Sequence, residues 1–172
     1  SFIENSLRKN FKTSITQHSS TKKMTNGFKL IGISVRTTNQ NNQVQEDLGK
    51  LWGQFISENI HEKIPNKISN EIFAIYTDYQ SNYTEDYTTI IGVPVSTLNE
   101  IPNGMIGREF QPENFKKFVA KGEMPKAIVD TWTEIWQQDE NLNRKYSYDF
   151  ELYGENCQKG ADSEVEIFVA VK

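Results

Sequence analysis

Tyr148-Asp149-Phe150-Glu151-Leu152-Tyr153 alternates in character. As a strand it sends Tyr148, Phe150 and Leu152 to one face, and Asp149, Glu151 and Tyr153 to the other. The first face suits a core. The second carries a carboxylate at its centre beside a tyrosine. Two readings of Glu151 stand: an acid on a solvated sheet face, or an acid in a cleft that meets something positive.

The stretch has an earlier counterpart. Phe73-Ala74-Ile75-Tyr76 matches Phe150-Glu151-Leu152-Tyr153 at an offset of 77, and Ile91-Gly92-Val93-Pro94-Val95 matches Ile167-Phe168-Val169-Ala170-Val171 at an offset of 76. Upstream of each pair lie a strand and a helix. Leu30 to Arg36 reads as a strand. Val44, Leu48, Leu51, Trp52, Phe55, Ile56 and Ile60 then fall on one face of a helix of about 17 residues. Pro65-Asn66 breaks the chain. Ile72–Tyr76 and Tyr87–Val95 read as a hairpin around the polar tip 79–85. Met105 to Phe110 reads as extended, and Phe115–Lys121 as a strand ended by Gly122. Pro125 stands at a helix's first turn, and Ile128, Trp132, Ile135 and Trp136 keep the apolar spacing to about Gln138. Residues 139–145 read as loop, and 154–162 as a polar turn. The order strand–helix–strand–strand occurs twice. The predicted fold is α+β: tandem duplicated strand–helix–strand–strand units, about 28–95 and 115–171, with antiparallel sheets, two main helices and a central ligand cleft.

In this scheme each helix covers one sheet face. Phe73, Ile75, Ile91, Val93 and Val95 are expected under the first helix, and Phe150, Leu152, Ile167, Val169 and Val171 under the second. The other face presents Ala74, Tyr76, Gly92 and Pro94 from one half, and Glu151, Tyr153, Glu166 and Phe168 from the other. If the halves meet there, a groove forms between them, walled by rings and given room by Ala74 and Gly92. An acid, Glu151, then occupies a place whose twin, Ala74, is apolar. A carboxylate drying against aromatic walls loses hydration, and its pKa rises unless a cation compensates. A cationic guest restores the balance and gains ring contacts of about 0.5–2 kcal/mol each.

Composition narrows the function classes. The chain has 172 residues, room for one domain with a proper core. Its 10 Phe, 7 Tyr and 3 Trp exceed what such a core needs, so some rings are free to line a pocket. One cysteine, Cys157, excludes an internal disulfide and suits a reducing, cytoplasmic setting. The two histidines, His18 and His61, have no metal-ligand spacing, so neither a metal nor a cofactor is expected. No apolar run spans a membrane. Residues 1–23 hold five basic residues against Glu4, a net of +4; the whole chain is −4, so residues 24–172 carry −8. That balance argues against nucleic-acid binding by the body and suits a cationic or neutral ligand. Residues 1–23 read as an N-terminal extension or leader, poorly ordered, with a short helix over 3–11 as the alternative. The single domain is expected to run from Met24 to Lys172.

Four stretches together resemble a known family: 115–122 (FKKFVAKG), 128–136 (IVDTWTEIW), 148–153 (YDFELY) and 166–171 (EIFVAV). They resemble the GyrI-like effector-binding domain, which is also fused to regulators of the AraC and MerR types. The similarity is greatest to the stand-alone, integron-associated effector-binding proteins, and covers about residues 26–172. It implies a duplicated fold with a central cleft that binds amphipathic cations or drug-like molecules. It implies that the family's cleft glutamate is Glu151, with Tyr153 and Phe168 at pocket positions. Tyr76, Trp132 and Trp136 join the candidate ligand-binding set from the pattern alone; for the two tryptophans a core role competes, since both lie on the apolar stripe. Trp136-Gln137-Gln138-Asp139 departs from the Trp-Leu-Pro-like stretch common in relatives.

The 23 leading residues are too few for a helix-turn-helix. The expectation is therefore a cytoplasmic receptor for amphipathic cations that regulates transcription through a separate DNA-binding partner, with no direct contact to nucleic acid or membrane. An exposed sheet edge offers a route to a homodimer. Two other classes remain open: a small hydrolase with Glu151 as general base aided by Tyr153, and a gyrase-inhibitor-like interaction protein acting through its acidic surface.

Overall fold

Strand β1 (Lys22–Lys23), β2 (Phe28–Thr37), β3 (Ile72–Thr77), β4 (Tyr87–Val95), β5 (Ile106–Phe110), β6 (Asn114–Lys121), β7 (Tyr148–Tyr153) and β8 (Glu164–Ala170) form one antiparallel sheet in the computed structural model, which describes residues 22–23 and 26–172. Helix α1 (Gln43–Ser57) and the short α2 (Ile60–Lys63) follow β2; α3 (Lys126–Gln137) and the short α4 (Asp139–Leu142) follow β6. The expectations for residues 1–21 lie outside the described residues. Lys22 and Lys23 pair with Phe115 and Asn114, so strand pairing begins ahead of Met24. The stretch 139–145, expected as loop, opens with the turn of α4.

The sheet order is β1-β6-β8-β7-β3-β4-β2-β5. Strands β6-β8-β7 and β2-β4-β3 are therefore mirror-ordered halves that meet at the β7/β3 seam. In that seam Ala74 lies opposite Glu151, Phe73 opposite Leu152 and Ile75 opposite Phe150. Of the twins at an offset of 77, only Ala74 and Glu151 face each other, and the others exchange partners about them (Phe73 with Leu152, Ile75 with Phe150), so a pseudo-two-fold axis passes between Ala74 and Glu151. This is the duplication expressed in hydrogen-bond register, and it sets the acid at the centre of the molecule.

The two sheet faces carry different cores. On one, Phe28, Phe73, Phe110, Phe115, Phe150 and Phe168 pack with Leu30, Ile75, Ile90, Tyr148, Leu152 and Ala170, and among the described residues none from a helix joins them. Phe28 of β2 reaches Phe150 of β7 at 5.9 Å between ring centroids, although β3 and β4 lie between those strands. A flat sheet would keep strands three places apart roughly 14 Å from each other, so the sheet curls and closes on its own aromatic face. Gly32 and Gly92 are paired inside this bend; a Cβ on either would come within 2.1 and 2.4 Å of the carbonyl oxygens of Ile91 and Ile31.

The helices lie on the outer face. Leu51 and Phe55 of α1 pack on Ile31, Ile33, Ala74, Ile91, Val93 and Val95. Trp132 and Ile135 of α3 pack with Tyr76, Ala120, Val165, Ile167 and Val169. This corrects the expected faces of two strands. Ile91, Val93, Val95, Ile167 and Val169 do lie under the helices, but Phe73, Ile75, Phe150 and Leu152 lie on the helix-free side. Ala74, paired with Ile91, and Glu151, paired with Ile167, share the helix side instead. The reason is register: a one-residue difference between neighbouring strands turns every side chain over, and composition alone does not reveal that both faces of this sheet are buried.

Candidate functional site

Helices α1 and α3 stand apart on the outer face and leave a cavity of about 800 Å³ above the seam. Its floor is Tyr76 of β3 with Glu151 and Tyr153 of β7. Leu48 and Trp52 line it from α1, and Trp132 and Trp136 from α3. Tyr79, Tyr83 and Tyr87, from the β3–β4 hairpin, line it as well. The two halves contribute equivalent rings. Trp52 meets Tyr153 edge-on at 4.9 Å, and Trp132 meets Tyr76 edge-on at 5.5 Å. Tyr83 stacks flat on Trp136 at 5.3 Å.

Glu151 is 1% exposed. The Tyr76 hydroxyl and the Trp132 indole N–H each donate to its Oε2 at 2.7 Å, and the Tyr153 hydroxyl donates to Oε1 at 2.6 Å. All three donors are neutral. Burial pushes the Glu151 carboxyl above the usual carboxylate range; the hydrogen bonds from Tyr153, Tyr76 and Trp132 pull it only partly back. Among the described residues no cationic side chain pairs with it; its partners are the three neutral donors. The tyrosines stay protonated as donors, because burial and then the neighbouring Glu151 raise Tyr76 and Tyr153 well above ordinary phenols.

The cationic side chain that lines the cavity near Trp132, Arg144, is already committed. Its Nη2 donates to Asp149 Oδ2 at 2.7 Å and its Nη1 to Asp139 Oδ1 at 3.1 Å. The guanidinium lies over the rings of Tyr146 (4.2 Å) and Trp132 (5.9 Å). The Tyr79 hydroxyl joins the same Asp149 oxygen at 2.5 Å. Two acids thus face one guanidinium; its Nε–H is buried without a partner among the described residues, and neither of its hydrogen bonds goes to Glu151. Lys126, at the rim, pairs with Asp130 in the solvent.

Of the six side chains singled out in the sequence, Glu151, Tyr153, Tyr76, Trp132 and Trp136 come together on this cavity. Phe168 does not. It is fully buried on the helix-free face, 4.7 Å from Phe150 in a stacked pair, because its cross-strand partner is Phe150 and not Glu151. Trp132 serves the core and the site at once: it is buried in the α3 core while its N–H holds the acid. Sequence reasoning passed over Trp52, Tyr79, Tyr83 and Tyr87 as site residues. The signal available for Trp52 was its equivalence to Trp132; the hairpin tyrosines gave none, since a polar tip with scattered rings reads as an ordinary turn.

Among the described residues no cluster of three or more His, Cys, Asp or Glu could hold a metal ion, and no described helix is long and apolar enough to cross a membrane.

Known proteins resemble this chain in structure or in sequence. The integron cassette protein VCH_CASS2, from the mobile metagenome of Vibrio cholerae, is 27% identical, with a TM-score of 0.66 over 90% of this chain and 97% of that one. The structure of SAV2435 bound to tetraphenylphosphonium is 18% identical, with a TM-score of 0.73 over 88% of this chain and 92% of that one. The candidate transcriptional regulator YobU of Bacillus subtilis (strain 168) is 25% identical over 144 residues, 82% of this chain and 90% of its own. The family model of the integron-associated effector binding protein, Cass2, matches residues 23–171. With nearly the whole domain matched and its duplicated sheet in place, this chain belongs to the Cass2 family of integron-associated effector-binding proteins.

Proposed function

We propose that the protein is a receptor for amphipathic organic cations, which it binds between α1 and α3 with the charge placed near Glu151. The observation that carries this reading is the uncompensated acid: a carboxylate 1% exposed, held by three neutral donors, on the floor of a ring-walled cavity. Such a site is unfavourable for an empty charged pocket and favourable for a guest that brings a positive charge and apolar surface. The tetraphenylphosphonium carried by SAV2435, a protein of the same fold, is a ligand of that description. The name of the YobU relative supports a regulatory output; the reading therefore includes a cytoplasmic setting and a separate DNA-binding partner that senses the occupied domain.

Calorimetric titration with tetraphenylphosphonium tests the proposal. At about 5 Å and an effective dielectric constant of about 20, a carboxylate attracts a monocation by roughly 3 kcal/mol. Replacing Glu151 by Gln keeps the volume and removes the charge, so affinity should fall about 100-fold. Equal binding by the parent and Glu151→Gln would show that the acid plays no part in recognition.

A further inference from the structure

The two cavity walls are copies of one another, and they differ in one respect that bears on ligand shape. Trp52 packs on Tyr153 as Trp132 packs on Tyr76, which fixes an offset of 80 between α1 and α3. One turn earlier the equivalent pairs are Leu48 with Ile128, and Gly49 with Val129; all four line the cavity. At Gly49 the α1 wall has no side chain at all. A Cβ built there would meet nothing within 4 Å, so no neighbouring atom requires glycine. Its backbone is ordinary α-helix, so no left-handed turn requires it either. Glycine in a helix interior is a poor choice on propensity, and alanine is the best. The equivalent position of α3, Val129, lines the same cavity with a branched side chain and is 45% exposed, and Gly49 is exposed as well.

We infer that Gly49 is a specificity-determining position, a bare stretch of α1 against which the bulk of a ligand packs. The inference rests on the binding reading above and deepens it: the cavity takes cations whose bulk is carried to one side, and rejects them when the α1 wall is filled to match the α3 wall. The duplicated scaffold is thus unequal twice, in charge at Glu151 against Ala74 and in room at Gly49 against Val129.

The test compares Gly49→Ala and Gly49→Val with the parent in the full chain. Three probes are titrated: tetraphenylphosphonium, tetramethylammonium as a small cation, and triphenylphosphine oxide as a bulky neutral molecule. Gly49→Ala should melt about 2–4 °C higher, as expected for filling a helical glycine. It should nevertheless bind both bulky probes at least about fivefold more weakly, and Gly49→Val more weakly still. Tetramethylammonium should bind within about twofold of the parent in both variants. Unchanged affinity for the bulky probes in both variants, or an equal loss for all three, overturns the inference. If the bulky neutral probe is sensitive to Gly49 while Glu151→Gln leaves every affinity unchanged, the steric inference stands and the cation reading falls. A parent that binds none of the three probes overturns both.

Discussion

Replacing Glu151 by Gln should make the protein more stable at neutral pH. The carboxylate accepts one hydrogen bond at Oε1 and two at Oε2. An amide meets the same surroundings: its oxygen accepts from Trp132 and Tyr76, and its NH2 group donates to the Tyr153 oxygen once that hydroxyl rotates. What changes is the charge. Hydrogen bonds to a charged group contribute about 1.5–3 kcal/mol each and neutral ones about 0.5–1.5, which favours Glu; drying an ion costs several kcal/mol, which favours Gln. The raised carboxyl pKa shows that drying outweighs the bonds. The net gain for Gln is on the order of 1–3 kcal/mol at pH 7–8, or roughly 2–4 °C in Tm per kcal/mol for a chain of this size. The sign with pH follows from linkage. The folded-state pKa lies above the unfolded one, so the folded parent binds the proton more tightly and gains stability as pH falls through the folded pKa; the gain is complete below the unfolded value of about 4.3. The advantage of Gln should therefore shrink between pH 7 and pH 4.5. Urea denaturation of both proteins across that range measures it. A Gln variant less stable than the parent at pH 7, or a gap that widens on acidification, would refute the reasoning.

Other outcomes follow from the same geometry. Asp149→Ala leaves the buried Arg144 with only Asp139 and should cost about 3–5 kcal/mol in chemical denaturation. Phe150→Ala, at the centre of the helix-free core, should cost about 3–5 kcal/mol by the same assay. Phe168→Leu, on that same face, should lower Tm while leaving tetraphenylphosphonium affinity within about twofold, because the sheet separates it from the cavity. Tyr83→Ala should remove the flat stack on Trp136 and weaken tetraphenylphosphonium binding by about 0.5–1.5 kcal/mol in calorimetry, with little loss of stability.

Much of the fold is legible because duplication gives two samples of each element. The offset of 77 between Phe73 and Phe150 reveals the duplication but not which strands join the halves; the structure pairs β3 with β7, Ala74 opposite Glu151. Both amphipathic helices end within three residues of their predicted C-termini, the first being continued by a second short turn. The faces of β3 and β7 are not legible in the same way. Phe73-Ala74-Ile75-Tyr76 carries apolar side chains on both sides, since one face meets a helix and the other meets the curled sheet; alternation cannot choose between two buried faces. The same ambiguity misplaces Phe168 in the cleft and Gly92 as room for a guest, whereas Gly92 sits in the bend. Glu151 is legible because an acid amid Phe, Leu and Tyr is costly to bury and so marks a site. Its three donors come from strands and a helix separated by up to 75 residues, and only tertiary packing brings Trp132 to it.

The central claim is that the ionised Glu151, dry and without a cation of its own, recognises the ligand's charge. The most direct measurement is the ratio of affinities for tetraphenylphosphonium and triphenylphosphine oxide from pH 8 to pH 5, in the parent and in Glu151→Gln. Neither probe titrates in that range. The ratio should fall in the parent as the pH drops through the raised Glu151 pKa, and stay low and flat in Glu151→Gln. A parent ratio that is the same at both ends of the range, or equal to that of Glu151→Gln at pH 8, would contradict it.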